Sequence, residues 1–328
     1  MNPKKEITAI VINPTARDGQ TGKNWPLTER ILREHEIKFD TFEMGADSNI
    51  VATVKEIAKA GYGRIVGAGG DGTQNAVING IMRSDVEVRP EYGILPFGTA
   101  NDTGKSFGLS VQEWSERELH MCARALVAGT KYNLDLGLVN GHRYFASSLT
   151  IGFDAVVLRD RNANRHERMV MRSGIESYLP SLFGNLIKEY KQPNVRIRAD
   201  GVALDHSHLF NLVVENVRIY AGGFILSKNI RSNDGLLDAF LYSNPEAYTS
   251  EIGTQVLKKL LRLDPTGLST EFVDIAVQNG DHRKARSIDI QIAAKLPSLV
   301  DGEEYREDNH FKVECIRHAL QLIIPYEF

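Results

Sequence analysis

The first part of the chain alternates between short apolar runs and segments with helical spacing. The apolar runs predict strands, at residues 7–12, 37–42, 64–68 and 92–95. Between and after them, apolar residues recur every three or four positions, which predicts helices at about 25–32, 50–60, 74–82 and 111–128. Strands that alternate with helices of this length are typical of βαβ units. The pattern therefore predicts an α/β fold with a doubly wound parallel sheet in residues 1–133.

After residue 133, the pattern changes to β-like segments joined by tight turns. Asn140-Gly141 and Asp200-Gly201 each separate two such segments, and these dipeptides are strong hairpin signals. Further strand candidates lie at 209–214, 236–242, 272–277, 288–292 and 311–315. Consecutive hairpins predict a β-rich, antiparallel, sandwich-like domain over residues 134–316.

Two helical stretches interrupt this β-rich half. Residues 175–190 carry one continuous apolar stripe, and five arginines precede it between residues 159 and 172. Residues 247–263 form the second stretch. The stripe and the arginines fit three interpretations, which are packing on the domain's own sheet with a solvated basic face, the lining of a pocket for acyl chains, and contact with an anionic lipid surface.

Composition excludes several classes of protein. The 328 residues are 42% hydrophobic and 25% charged, with a net charge of −3, whereas a general nucleic-acid binder of this size is normally basic. Cys122 and Cys315 are too few for a disulfide framework, and no apolar run approaches the roughly 18–20 residues that span a bilayer. The basic start of the chain has no adequate apolar region after it, so secretion is not expected. We expect a cytoplasmic, two-domain protein without a nucleic-acid partner, and peripheral contact with the inner membrane surface stays open.

The most informative segment is a glycine-rich loop between a predicted strand and a predicted helix. Glycines let the backbone approach a phosphate, and the first amides of the helix suit an anion. Thr73 can cap that helix or bind a phosphate oxygen. The alternative is a plain tight turn with a helix cap, and the loop is not a Walker A motif because no Gly-Lys-Ser/Thr follows. The residues are Gly69, Gly70, Asp71, Gly72, Thr73, Gln74 and Asn75.

Two more polar loops follow predicted strands of the same sheet, at residues 13–17 and 96–102. Loops at the carboxyl ends of neighbouring parallel strands face one crevice, where open α/β sheets bind ligands. Taken singly, the first loop is equally consistent with a simple exit turn. Together, the three loops predict a nucleotide site.

Three acidic positions lie in the second half. Asp234-Gly235 and Asp301-Gly302-Glu303 occupy turns, and each of these turns is also consistent with an ordinary solvated turn. Asp234 could bind a metal, and a carboxylate at 301–303 could accept a proton from an attacking hydroxyl. Asp135 lies in a strand pattern, where a buried carboxylate needs a partner.

The five motifs, in this order and spacing, resemble the diacylglycerol kinase catalytic-domain family, which includes soluble bacterial lipid kinases and the sphingosine and ceramide kinases. The resemblance covers nearly the whole chain. It implies a nucleotide-binding N-terminal domain, a β-rich C-terminal domain, an active site between them, and a last strand within 317–328 that returns to the first domain. The motifs are Asn13-Pro14-Thr15, Gly69–Asn75, Pro96–Asp102, Asp234-Gly235 and Asp301-Gly302-Glu303.

The resemblance also implies roles for individual residues. Glu303, with Asp301 beside it, corresponds to the proton acceptor for the lipid hydroxyl. Asp234 corresponds to a ligand of a second metal, together with main-chain carbonyls at Arg231 and Leu236. The aspartates that the family links to Mg²⁺ through water are Asp71, Asp102 and Asp135. The ATP-phosphate contacts correspond to Asn13, Pro14, Thr15, Ala16, Arg17, Gly69, Gly70, Asp71, Gly72, Thr73, Gln74, Asn75 and Thr99.

Three places depart from the family pattern, and one of them is Arg231, which stands where a small polar residue is common three positions before Asp234. Ala16-Arg17 stand where the family usually has Ser-Gly, although Arg17 could pair with a phosphate, and Ala76 stands where many members have Glu. The resulting expectation is an ATP- and Mg²⁺-dependent lipid kinase that acts at a membrane surface, with diacylglycerol as the leading acceptor. An NAD kinase-like enzyme and a non-catalytic lipid- or nucleotide-binding regulator remain alternatives. The sequence does not decide between a monomer and a homodimer.

Overall fold

The computed structural model describes residues 3–45, 47–163, 190–206, 208–246, 248–249 and 282–326. Predicted segments 175–190, 247–263 and 272–277 lie outside these residues, except for positions 190, 248 and 249. Of the five arginines ahead of the first stripe, Arg159 has a described partner, because its guanidinium lies 2.7 Å from Glu307 Oε2. No helix among the described residues is long and apolar enough to cross a membrane.

The first half contains four parallel strands in the order β2-β1-β3-β4. Their bounds, with the intervening helices, are β1 Thr8–Ile12, α1 Gln20–Glu34, β2 Phe39–Glu43, α2 Ile50–Lys59, β3 Arg64–Gly69, α3 Asp71–Met82 and β4 Glu91–Pro96. The chain moves in opposite directions across the sheet from β1 to β2 and from β2 to β3. Because such crossovers are right-handed, α1 and α2 lie on opposite faces. The predicted doubly wound α/β fold is confirmed.

Helix boundaries depend on capping residues. The predicted helix at 111–128 begins only at Glu116, because Ser115 and Glu118 form a capping box, and this helix is α5, Glu116–Ala128. A short helix that the sequence pattern did not indicate, α4 at Asp102–Ser106, precedes it. Helix α5 packs against α1, and α2 packs against α3.

The second half is largely antiparallel, as predicted. Its elements are β5 Thr130–Val139, β6 Arg143–Phe145, β7 Ser148–Gly152, α6 Phe153–Ala163, β8 Val195–Ala199, β9 Val202–His206, β10 Asn211–Glu215, β11 Leu237–Tyr242, β12 His282–Ala285, β13 Ser287–Val300 and β14 Glu303–Ile324. Both predicted hairpins are present, as β5–β6 and β8–β9. Their turn residues all have positive φ, for example 50° at Asn140 and 71° at Gly141, which is the geometry of type I′ turns. Strand β7 and helix α6 were not predicted.

Strand β14 connects the two halves. Its first part pairs with β13, and both its middle and its end pair with β5. A register shift between Ile316 and Leu320 interrupts the pairing with β5, and Leu322 then lies beside Tyr92 of β4 in parallel orientation. One hydrogen-bonded sheet therefore runs through both halves, and the apolar core of the first half includes Leu134 and Leu136. A domain boundary at residue 133 stays a prediction.

Candidate active site

The loops after β3 and β4 meet at the carboxyl edge of the parallel sheet. A Cβ atom added to Gly98 would overlap the Cα atom of Gly70, so these two backbones can approach only because both residues lack side chains. Asn101 fixes the second loop, since its side chain accepts a hydrogen bond from Gly98 N and donates to Pro96 O and Gly98 O. The loops after β3 and β4, which are two of the three predicted loops, are therefore in direct contact.

Asp71 joins the two loops through its carboxylate. Its Oδ2 accepts a hydrogen bond of 2.7 Å from the Asn101 amide, and its Oδ1 accepts one of 2.8 Å from the Asp102 amide. Asn101 adopts a φ of 54° to present that amide, a conformation that Asn tolerates better than most residues. Burial raises the pKa of Asp71 to about 6, and the amides of Asn101 and Asp102 oppose this shift.

Asp102 connects this cluster to the second half of the chain. Its Oδ1 accepts a hydrogen bond of 2.6 Å from Gly222 N, and Lys105 Nζ donates one of 2.6 Å to Gly222 O. Burial raises the pKa of Asp102 well above its ordinary value, and repulsion from Asp71 adds to the shift. Burial is thus the main cause of both shifts, and Lys105 opposes the shift at Asp102.

Helix α3 carries a polar stripe at intervals of four residues, Asp71, Asn75 and Asn79. Asn75 Nδ2 donates to Asp301 Oδ2 at 2.7 Å and to Tyr144 O at 2.8 Å. Asn79 exchanges hydrogen bonds with both backbone groups of Tyr144. Because residues four apart lie on one helix face, this stripe fixes α3 against the β5–β6 hairpin and the acidic turn.

Asp301 holds the acidic turn in place. Besides Asn75, its carboxylate accepts hydrogen bonds from the amides of Ala146, Ser147 and Ser148, and its side chain is buried. Burial raises its pKa although these donors oppose the shift. The sequence analysis placed Asp301 beside the base, and the structure gives it four protein donors, which suits a positioning role.

Glu303 reaches the first turn of α3. A Cβ atom added to Gly72 would lie 2.5 Å from Glu303 Oε1, so the carboxylate packs on the backbone next to Asp71. Burial raises the pKa of Glu303, Arg143 opposes the shift, and Glu304 and Asp301 add to it. Arg143 Nε is buried without a hydrogen-bond partner among the residues described. The structure thus places Glu303 against Gly72, next to Asp71, whose carboxylate accepts the Asp102 amide.

The start of α3 is suited to an anion. Its N-cap is Gly70, which provides no side-chain cap for the first amides. Asn13 Nδ2 donates to Thr73 Oγ1 at 3.1 Å, and the Thr15 amide and hydroxyl donate to Asn13 Oδ1. The β1 loop therefore lies beside the glycine-rich loop, and the positive end of the helix dipole faces the cleft that they form.

Several residues that the resemblance assigned to ATP make contacts within the protein. The buried Gln74 amide donates to the carbonyls of Gly67, Gly69 and Leu95 and accepts from the Tyr92 hydroxyl. Arg17 donates to Val111 O at 3.0 Å and to Gln112 O at 2.6 Å. Pro14 O and Ala16 O accept backbone amides from the start of α1, and Thr99 is exposed. Their contacts with phosphate stay predictions.

Asp135 is fully buried at the base of the Asp234 turn. Its Oδ2 accepts from Gly235 N and its Oδ1 from His318 N, both at 2.6 Å. These contacts differ from those of Asp71 and Asp102, so the link of Asp135 to Mg²⁺ stays a prediction.

In the Asp234 turn itself, Asp234 Oδ1 accepts a hydrogen bond from Leu236 N, and Arg231 is exposed. No group of three or more His, Cys, Asp or Glu that could hold a metal occurs in the described part of the chain.

Sequence reasoning missed three residues that organise the site, Asn79, Asn101 and Gly222. The four-residue spacing of Asp71, Asn75 and Asn79 was a usable signal for the first of these residues. Asn101 stands directly before Asp102 in a motif already identified. Gly222 left no local signal, since its partner Asp102 is 120 positions away.

The raised pKa of Asp71 predicts a pH-dependent stability difference between wild type and Asp71→Asn. A carboxyl with a raised pKa in the folded state destabilises that state when ionised. The unfolding free energy of wild type, relative to the variant, should therefore rise as the pH falls from about 7 to about 4. A shift of about 2 pKa units corresponds to about 3 kcal/mol. Chemical denaturation across this pH range measures the difference, and a constant difference would contradict the assignment.

Comparison with known proteins agrees with this geometry. Residues 8–139 match the family model of the Diacylglycerol kinase catalytic domain. Over 94% of both chains, the protein is 27% identical to the "Probable lipid kinase YegS" of Escherichia coli O127:H6 and 26% identical to that of Escherichia fergusonii. A solved structure of a putative diacylglycerol kinase from Bacillus anthracis shares the fold, with a TM-score of 0.74 at 22% identity over 99% of this chain and 97% of that one. Residues 8–139 are therefore similar to the diacylglycerol kinase catalytic domain, and nearly the whole chain is similar to proteins named probable lipid kinases.

Proposed function

We propose that the protein is an ATP- and Mg²⁺-dependent lipid kinase that phosphorylates the hydroxyl of a lipid alcohol, with diacylglycerol as the acceptor. The observation that carries this proposal is the position of Glu303. Its carboxylate lies on the Gly72 backbone, at the uncapped start of α3 and next to Asp71. A base for an attacking hydroxyl and a binding site for phosphate therefore share one cleft.

Phosphoryl transfer depends mainly on positioning and on compensation of negative charge. The free amides at the start of α3 would bind the phosphates of ATP, beside the Asn13 and Thr73 side chains. Arg143, whose Nε is buried without a hydrogen bond among described residues, would add positive charge close to Glu303.

The residues at the cleft fit Mg²⁺. Asp71 and Asp102 have carboxylate oxygens, which this hard cation prefers, and burial raises the pKa values of both. They would hold the ion together with water and nucleotide oxygens. When bound, Mg²⁺ supplies charge neutralisation and orientation of the phosphates.

Glu303 would accept the proton of the lipid hydroxyl. Its raised pKa brings it closer to the working pH than an ordinary glutamate, which favours a general base. The carboxylate has no described hydrogen-bond partner, so its oxygens remain available to an acceptor. Asp301, two residues earlier, would keep the turn in register through its four hydrogen bonds.

A transfer assay tests the proposal. The full chain would be incubated with γ-labelled ATP and, separately, with diacylglycerol, sphingosine, ceramide or NAD, the lipids in mixed micelles. We expect label in phosphatidic acid, and loss of that label when EDTA removes Mg²⁺. Labelled NADP without a labelled lipid would favour an NAD kinase-like enzyme. ATP binding without transfer to any acceptor would favour a regulator, and either result would contradict the proposal.

A further inference from the structure

A lysine ammonium lies in the turn that the resemblance assigns to a second metal. Lys284 Nζ is 3.2 Å from Asp234 Oδ2 and 3.2 Å from Asp238 Oδ2, and it donates a hydrogen bond of 3.1 Å to the main-chain carbonyl of Asn229. Carboxylate and carbonyl oxygens are the ligands that hard divalent cations use. An ammonium has three N–H donors. Here Asn229 O and Asp234 Oδ2 accept hydrogen bonds from Lys284, and Asp238 Oδ2 lies within ion-pair distance without a hydrogen bond among the described residues.

The sheet fixes the position of this ammonium. Lys284 lies on β12 directly opposite Asp238 on β11. Asp238 is fully buried, and its second oxygen, Oδ1, lies 2.7 Å from His282 Nε2, whose ring stacks on Phe240. A carboxylate buried this deeply needs a compensating charge, and Lys284 is the cation that its cross-strand neighbour supplies.

Both oxygens of Asp234 are also in use. Oδ1 accepts the Leu236 amide at 3.0 Å, and Oδ2 faces the ammonium of Lys284. A divalent cation on Oδ2 would lie within a few ångströms of that ammonium and would be repelled by it. The residues of this turn therefore do not fit a metal while Lys284 is in place.

We propose that the ammonium of Lys284 takes the place of the second metal, so that the Asp234 turn is held by an internal ion pair and binds no divalent cation. The Asp234 turn also holds the buried Asp135 in place, because Gly235 N donates to the Asp135 carboxylate and Ser232 O accepts the Asp135 amide. This proposal is independent of the acceptor and of the Asp71–Asp102 site.

The first test compares wild type with Asp234→Asn, as full-length, nucleotide-free protein. Thermal unfolding would be followed in EDTA and then in MgCl₂, MnCl₂ or CaCl₂ at equal ionic strength. A site filled at 100 times its Kd raises Tm by roughly 4 °C in a protein of this size. We expect any metal-dependent rise to be the same in both proteins, because it comes from another site. A rise in wild type that Asp234→Asn loses would overturn the proposal.

The second test removes the ammonium. Lys284→Met should lower Tm in EDTA and gain a rise with divalent cations that wild type lacks, together with one additional tight Mn²⁺ site by electron paramagnetic resonance. Lys284→Arg, which keeps the charge, should gain neither. Lys228→Met is the matched control, since Lys228 is an exposed lysine beside Asn229, and it should behave as wild type.

Lys284→Met could fail to fold, in which case its response to metal cannot be compared with that of wild type. The comparison of wild type with Asp234→Asn then decides the question. A folded Lys284→Met that matches wild type in EDTA and in metal would overturn the proposal.

Discussion

Glu303→Gln should lower turnover by roughly 10²–10⁴-fold and leave ATP binding unchanged, because general-base catalysis contributes about that factor. The amide has the size of the carboxylate, so it keeps the packing on Gly72, but it cannot accept the proton of the acceptor hydroxyl. Steady-state kinetics would give kcat, and equilibrium titration with ATP would give Kd. The loss should appear in kcat alone.

Burial raises the pKa of Glu303, which gives this prediction a second readout. Wild-type turnover should decline as the pH falls and Glu303 becomes protonated, at a pH above that of an ordinary glutamate. In Glu303→Gln, the residual activity should lack this acidic decline. Turnover within a few-fold of wild type would exclude Glu303 as the base.

Glu304→Gln is the matched control for Glu303→Gln. Successive side chains of a strand point to opposite faces, so Glu304 faces away from Gly72. Its Oε1 accepts a hydrogen bond of 2.7 Å from Asn162, which an amide oxygen can also accept. Glu304→Gln should retain wild-type turnover. Because it also removes one negative charge beside the turn, it separates the effect of that charge on turnover from the loss of the base.

Asp301→Ala should destabilise the protein strongly. The change leaves Asn75 and the amides of Ala146, Ser147 and Ser148 without their acceptor in a buried place. Each unsatisfied buried donor costs roughly 1–3 kcal/mol, and relief from burying a charge offsets part of the sum, so we expect a loss of about 3 kcal/mol. Chemical denaturation would measure this loss.

The effect of Asp301→Ala on activity distinguishes positioning from proton transfer. Turnover should fall because the turn no longer holds Glu303 on Gly72, but the residual activity should keep the acidic decline that Glu303 causes. Asp308→Ala serves as control. Asp308 lies on β14, the strand that follows the turn of Asp301, and pairs with Arg306 near the surface, so its removal should cost at most about 1 kcal/mol. A stable Asp301→Ala without the acidic decline would instead make Asp301 the base.

Local sequence determined where most elements and turns lie. The two-residue hairpins at Asn140-Gly141 and Asp200-Gly201 formed as predicted, since their positive φ angles suit few other residue pairs. The strand–loop–helix order around Gly69–Asn75 could also be predicted, because the spacing of apolar residues and the clustering of glycines are both visible within a short stretch of sequence. The predicted start of α5 was wrong. Apolar spacing placed it at about residue 111, whereas the capping box of Ser115 starts the helix at Glu116.

Only the tertiary structure decided which groups the polar side chains contact. Gln74 and Asp71 lie in one motif, yet the Gln74 side chain contacts β3 and β4, whereas the Asp71 carboxylate accepts backbone amides of the loop after β4. The Asp234 turn could hold a metal by its sequence, and Lys284, 50 positions later, places an ammonium there. Such outcomes depend on which strands become neighbours in the folded sheet. A short stretch of sequence does not show which strands pair, because the partner of a buried charge depends on how distant parts of the chain pack together.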